Sequence, residues 1–195
     1  MAQLYFRYGA MGCGKTMQLL QVAFNYEERG LKVCVIKAKT DTKNGNKLLT
    51  RIGPERETNF TFSKRDNIYE RISKNYCNVD CILVDEAQFL TPKQVDQLME
   101  IVVKLDIPVI CYGLRLNFRR DDSGFEGATR LLQLAHKIEE LKTICKCGRK
   151  ATLSCRFLND KLVTDGPDIL IDDGKNKISY RAICNHCYYK LKEEQ

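Results

Sequence analysis

Apolar residues recur along the chain in two rhythms. Short continuous runs at Gln3–Arg7, Lys32–Ala38 (centred on Val33–Ile36), Cys81–Val84, Pro108–Tyr112 and Ile138–Leu141 have the length of buried strands. Between them the spacing turns helical. Leu19, Leu20, Val22, Ala23 and Tyr26 give one face to a helix over 15–29, with Gly30 placed to cap its end. Ile68 and Ile72, four apart, mark a second helix over 67–75. Val95, Leu98, Met99 and Val102 mark a third, opened by Thr91 as N-cap and Pro92 in the first turn. A fourth is expected over 127–136.

Strands alternating with helices predict an α/β fold, a parallel sheet flanked by helices on both faces. One stretch interrupts the rhythm: KTDTKNGNKLLTRIGPERE, residues 39–57, is polar and too long for a plain connection, so it is expected to be mobile or functional. After Leu141 the pattern changes to short segments, glycines and paired cysteines, which places a boundary near Thr143. The expected division is 1–142 and 143–195.

The 44% hydrophobic and 29% charged residues of the 195 are ordinary for a globular chain, and no repeat or low-complexity tract breaks them. The N-terminal apolar run is cut by Arg7 and followed by glycines, unlike a signal peptide, and no segment reaches the roughly 18 apolar residues of a membrane span. The expectation is a soluble cytoplasmic protein. In a reducing compartment the ten cysteines are read as core residues or metal ligands rather than disulfides. Cys34, Cys81 and Cys111 lie inside apolar runs and belong to the first group.

The chemistry starts at Gly9, Ala10, Met11, Gly12, Cys13, Gly14, Lys15 and Thr16, which fit G-x-x-x-x-G-K-S/T between a strand and a helix. Glycines there let successive N–H groups turn onto an anion at a helix start, as in a P-loop NTPase. Lys15 is placed for the β- and γ-phosphates of ATP and the Thr16 hydroxyl for Mg²⁺. Asp85 closes an apolar strand, where a second magnesium carboxylate belongs, and Glu86 stands beside it. A carboxylate there can take the proton of an alcohol acceptor or activate water, and the local sequence leaves kinase and ATPase both open. Cys145-x-Cys147 and Cys184-x-x-Cys187 can close four sulfurs on a structural Zn²⁺ as a zinc ribbon. His186 and His136 are read as bystanders. The formal charge of +7 would fall to about +5 with zinc bound, which suits polyphosphate ligands as well as nucleic acid.

In this order, GAMGCGKT, DEAQFL (85–90), YGLRLNF (112–118), LKTICKCGRKA (141–151) and SYRAICNHCY (179–188) resemble the zinc-containing thymidine kinase family over nearly the whole chain. The resemblance implies transfer of the ATP γ-phosphoryl to thymidine, with deoxyuridine a possible acceptor, dTTP a feedback inhibitor and a homotetramer as the assembly. It implies Glu86 as catalytic base, and Asp85, Glu86, Ala87 and Gln88 beside the nucleotide and its Mg²⁺. Met11, Phe89, Leu114, Phe118, Phe125 and Tyr180 would wall the thymine ring, Tyr180 on a lasso loop that closes over the substrate. Ala10 stands where the family often has proline, and Cys145-x-Cys147 where it often has C-x-x-C. Arg51 is a further candidate phosphate contact. The alternative is a P-loop ATPase whose zinc ribbon binds nucleic acid. It is disfavoured because no second motor half and no basic stripe with interleaved aromatics is present.

Overall fold

The computed structural model of the protein describes residues 1–39, 45–50, 53–119, 124–166 and 177–194. The glycine-rich turn joins strand β1 (Leu4–Tyr8) to helix α1 (Lys15–Glu27), and β2 (Val33–Ala38) follows. Helix α1 ends two residues before the sequence suggests. Gly30 adopts φ 76°, and the Gly30 and Leu31 N–H groups turn back onto the Glu27 and Tyr26 carbonyls.

The described part of 39–57 is not plain loop. It holds β3 (Lys47–Leu49) and β4 (Glu55–Glu57), paired antiparallel. This ribbon is docked by Leu48, buried against the α1 side of the sheet, by Lys37 Nζ donating to the Lys47 carbonyl at 2.7 Å, and by a two-pronged Arg56–Glu27 ion pair. Then come β5 (Phe60–Phe62), α2 (Ile68–Asn75), β6 (Cys81–Asp85), α3 (Pro92–Leu105), β7 (Val109–Gly113), α4 (Glu126–Leu134) and β8 (Lys137–Glu140). The proposed cap of α3 is present in full: Thr91 and Gln94 exchange side-chain-to-backbone hydrogen bonds as a capping box.

Six strands form one parallel sheet in the order β5-β2-β6-β7-β1-β8, so β7 separates the glycine-loop strand from the acidic one. Strand alternation sends Leu4, Phe6, Val84 and Cys111 to one face, where they meet Ile68 and Ile72 of α2, Val95 and Leu98 of α3, and Leu131 of α4. Val35, Leu83, Ile110 and Tyr112 face the other way onto Leu19 and Ala23 of α1. Cys34, Cys81 and Cys111 are fully buried, as their apolar context requires. Strand β5 is absent from the sequence expectations because three residues, with Phe60 and Phe62 buried around a half-buried Thr61, are too few to establish a period.

The C-terminal part builds its own core. Strands β9 (Thr143–Ile144) and β10 (Lys150–Ala151) pair as a knuckle, while β11 (Leu153–Leu158) lies between β12 (Lys161–Val163) and β13 (Ile178–Ile183). Helix α5 (Asn185–Glu193) follows. It was not legible beforehand, because the cysteine pair that opens it carries no helical periodicity. Among the described residues no helix is long and apolar enough to cross a membrane.

Helix α4 comes so close to the single 3₁₀ turn at Ala87–Phe89 that a β-carbon on Gly127 would stand 2.3 Å from the Leu90 carbonyl oxygen. Gly127→Ala is therefore expected to destabilise the protein by about 1–3 kcal/mol, read as a lower urea midpoint at unchanged slope.

Candidate active site

The loop from Gly9 to Thr16 owes its shape to three glycines. Gly12 and Gly14 hold left-handed φ values of 75° and 84°. Gly9 has no room for a side chain, since a β-carbon there would lie 2.5 Å from both Cys13 Sγ and the Leu141 carbonyl oxygen. Gly14 is the N-cap of α1 and offers no side-chain acceptor, so the first-turn N–H groups and the positive end of the helix dipole face the loop. Lys15 Nζ donates to the Gly9 and Ala10 carbonyls, both at 3.0 Å, which spans the loop with a cation. A cleft of about 590 Å³ opens here, lined by residues 11–17, Leu49, Thr50, Glu86 and Leu114. The β3 end therefore reaches the same cleft, a contribution the polar composition of 39–57 concealed.

Two adjacent acids meet this cleft in different ways. Asp85 is 4% exposed, and its Oδ2 accepts the Thr16 hydroxyl at 3.1 Å. Burial, reinforced by the neighbouring Glu86 charge, pushes the Asp85 carboxyl up to about 7. A divalent cation between Thr16 and Asp85 would reverse that shift, so the pair fits a hard metal with oxygen ligands. Glu86 is half-buried and left-handed, at φ 53°, and caps the 3₁₀ turn. Ala87 and Gln88 lie beneath the cleft surface, fully or almost fully buried.

The apolar residues expected around a base ring come from both parts of the chain. Phe89 and Phe125 meet edge to face with centroids 5.5 Å apart. Phe118 is covered by the Arg156 guanidinium at 3.6 Å from its ring centroid. Tyr180 lies on strand β13 rather than on a loop, and its hydroxyl accepts Arg156 Nε at 3.0 Å. Met11 is tied to the C-terminal sheet by its backbone N–H, which donates to Ser154 Oγ at 2.9 Å. Leu114 lines the cleft together with Glu86. Ser154 and Arg156 were not picked out from sequence. The only trace of them is an arginine and a serine inside the otherwise apolar LSCRFL. Arg51 and residues 167–176 lie outside the described residues.

The four paired cysteines converge. The Sγ atoms of Cys145, Cys147, Cys184 and Cys187 all lie within 4.8 Å of one another, and the Cys147–Cys184 pair is 3.5 Å apart. None is in a disulfide. Four sulfurs on a tetrahedral Zn²⁺ at 2.3 Å would stand about 3.8 Å apart, so the cluster could bind zinc. Hydrogen bonding from the Arg149 backbone and the neighbouring sulfurs draws the Cys147 thiol down to about 6, while hydrogen bonding with Cys147, Cys184 and Cys145 pushes Cys187 up to about 12. Four such thiols ionise together only around a cation. His186 is exposed, and His136 Nδ1 accepts the Leu4 N–H at 3.0 Å.

A phosphate-binding loop on a parallel sheet, with a buried acid bonded to the loop threonine and a second carboxylate at the cleft, defines a P-loop NTPase-like protein. A family model described as Thymidine kinase matches residues 2–188. The thymidine kinase of Francisella tularensis subsp. holarctica is 46% identical over 191 residues, covering 94% of this chain and 95% of that one. That of Pasteurella multocida is 47% identical over 197 residues, covering 98% of each. That of Salmonella paratyphi A is 42% identical, covering 100% and 94%. A solved replication initiator DnaA bound to AMPPCP and single-stranded DNA aligns at 18% identity and a TM-score of 0.43, covering 72% of this chain and 40% of that one. The chain belongs to the thymidine kinase family, and it is an enzyme.

Ser154→Ala would leave the Met11 N–H of the loop without its acceptor. The expected cost is about 1–3 kcal/mol of stability, measured by chemical denaturation.

Proposed function

We propose that the chain transfers the γ-phosphoryl group of ATP to the 5′-hydroxyl of thymidine, giving dTMP and ADP, with Glu86 as the catalytic base. One observation carries this reading. The Glu86 carboxylate lines the same cleft as the phosphate-binding loop, one residue from an acid bonded to Thr16. In the reaction a Glu86 oxygen accepts the 5′-hydroxyl proton while the nucleoside oxygen bonds to the γ-phosphorus. The bond from that phosphorus to the β–γ bridging oxygen breaks, and ADP leaves. Lys15 and the N–H groups at the start of α1 hold the phosphates and take up the developing charge. Thr16 and Asp85 would hold Mg²⁺, which supplies further charge neutralisation when bound.

Met11, Phe89, Leu114, Phe118, Phe125 and Tyr180 wall the pyrimidine in this reading. An apolar recess of that kind distinguishes one methyl by only about 1–3 kcal/mol, which leaves deoxyuridine a weaker alternative acceptor. Cys145, Cys147, Cys184 and Cys187 hold a structural Zn²⁺ and make 143–195 a zinc-ribbon domain beside the kinase domain of 1–142. The resemblance to the family supports a cytoplasmic homotetramer inhibited by dTTP, with no nucleic-acid or membrane partner.

Glu86→Gln keeps the size of the side chain but cannot accept the proton. It is expected to lower kcat by about 10²–10⁴-fold with ATP affinity retained, followed by dTMP formation in a coupled assay. ATP hydrolysis stimulated by DNA, without a monophosphorylated pyrimidine, would overturn the kinase reading. For the metal, Cys184→Ser should reduce bound zinc from one equivalent per chain and lower the melting temperature, measured by elemental analysis and calorimetry.

A further inference from the structure

Glu86 opens onto a buried amide. Gln88 is 2% exposed, in the 3₁₀ turn that begins one residue after Glu86. Its orientation follows from its neighbours. The backbone N–H of Leu114 can only donate, and it lies 3.0 Å from Gln88 Oε1. The amide oxygen must therefore face the end of β7, which turns the NH₂ group onto Glu86 Oε2. Rotating the amide by half a turn would set donor against donor and oxygen against carboxylate.

The space for this clamp depends on Gly113. A β-carbon there would stand 2.8 Å from Gln88 Oε1 and 3.0 Å from the Gln88 backbone nitrogen. The two anchor points of Gln88 thus belong to different strand ends, Glu86 after β6 and Leu114 after β7, and both line the cleft.

We propose that Gln88 is a positioning residue for the phosphoryl transfer. Anchored by the Leu114 N–H, its amide holds the half-buried Glu86 carboxylate in the single orientation from which it reaches the acceptor hydroxyl. The proposal rests on the reading of Glu86 as the base. A glutamate at the lip of an open cleft otherwise samples several rotamers, few of which aim an oxygen at the acceptor. Misplacing a reacting group by about 1 Å costs on the order of 100-fold in rate.

Two substitutions of nearly unchanged size separate positioning from mere filling of space. Gln88→Glu keeps the acceptor for Leu114 but sets a second carboxylate against Glu86. Gln88→Met keeps neither contact. Both are expected to lower kcat by about 10–100-fold while KM for thymidine and ATP stays within about 2-fold, the pattern of an interaction made in the transition state. A purely structural role predicts a ranking instead, with Gln88→Glu near wild type and Gln88→Met impaired and thermally weakened. That ranking, or wild-type kcat in both variants, would overturn the proposal. Glu86→Gln is assayed beside them. If it is inactive while both Gln88 variants turn over normally, only the role of Gln88 falls. If it turns over at the wild-type rate, the reading of Glu86 falls and this proposal with it.

Discussion

Neighbouring residues in a strand point to opposite faces, and this site needs two neighbours on one side. Leu83 packs toward α1 and Val84 toward α2–α4, so Asp85 returns to the α1 side and meets Thr16 there. A sixth residue of regular strand would send Glu86 into the opposite core. The left-handed backbone at Glu86 prevents this and turns its carboxylate into the cleft of the phosphate-binding loop. A non-glycine residue held there costs on the order of 1–3 kcal/mol and persists only where its surroundings over-determine it. They do so here: Gln88 lies underneath, Gly113 makes room, and α4 presses on the turn through the bare backbone of Gly127.

The same turn explains why closely packed glycines appear on elements that carry no loop. Gly113 ends β7 and Gly127 lies in the first turn of α4, both in ordinary strand and helix conformation. Their value lies in the absent β-carbon rather than in backbone freedom. Gly12 and Gly14 are different. Their left-handed φ values shape the anion-binding curve. Gly113 and Gly127 on the one hand, and Gly12 and Gly14 on the other, thus answer two separate physical demands.

The C-terminal sheet is joined to the side of the phosphate-binding loop through specific contacts. Ser154 takes the Met11 N–H, and Arg156 is 1% exposed between the Phe118 face and the Tyr180 hydroxyl. A guanidinium buried in this way is accommodated by the aromatic face and by hydrogen bonds. The cysteine cluster shares the same small core, with Cys145 and Cys184 packed among Leu153, Phe157 and Tyr188. A zinc ion closing that cluster would stiffen the strands that carry Ser154, Arg156 and Tyr180, which links a structural metal to the shape of the proposed base pocket.

The chain announces its α/β order, its glycine loop, its acid pair and its cysteine pairs because each rests on local spacing. A run of apolar residues needs burial on two faces, and G-K-T after a strand needs an anion. Two closely spaced cysteine pairs suit one metal ion. The N-cap at Thr91 is readable for the same reason, whereas the returning bond from Gln94 appears only in the structure. Long-range proximity leaves no such trace. Nothing along the chain couples Gln88 to Leu114, Met11 to Ser154, or Phe118 to Arg156, because those contacts exist only once separate strand ends are brought side by side. The ribbon of β3 and β4 escaped for a related reason: its pairing is with itself and its anchoring with α1, through Leu48 and Arg56, in a stretch whose composition is polar. Side chains set which elements form, but the left-handed turn at Glu86 and the clamp beneath it come from packing, where steric exclusion overrides local preference.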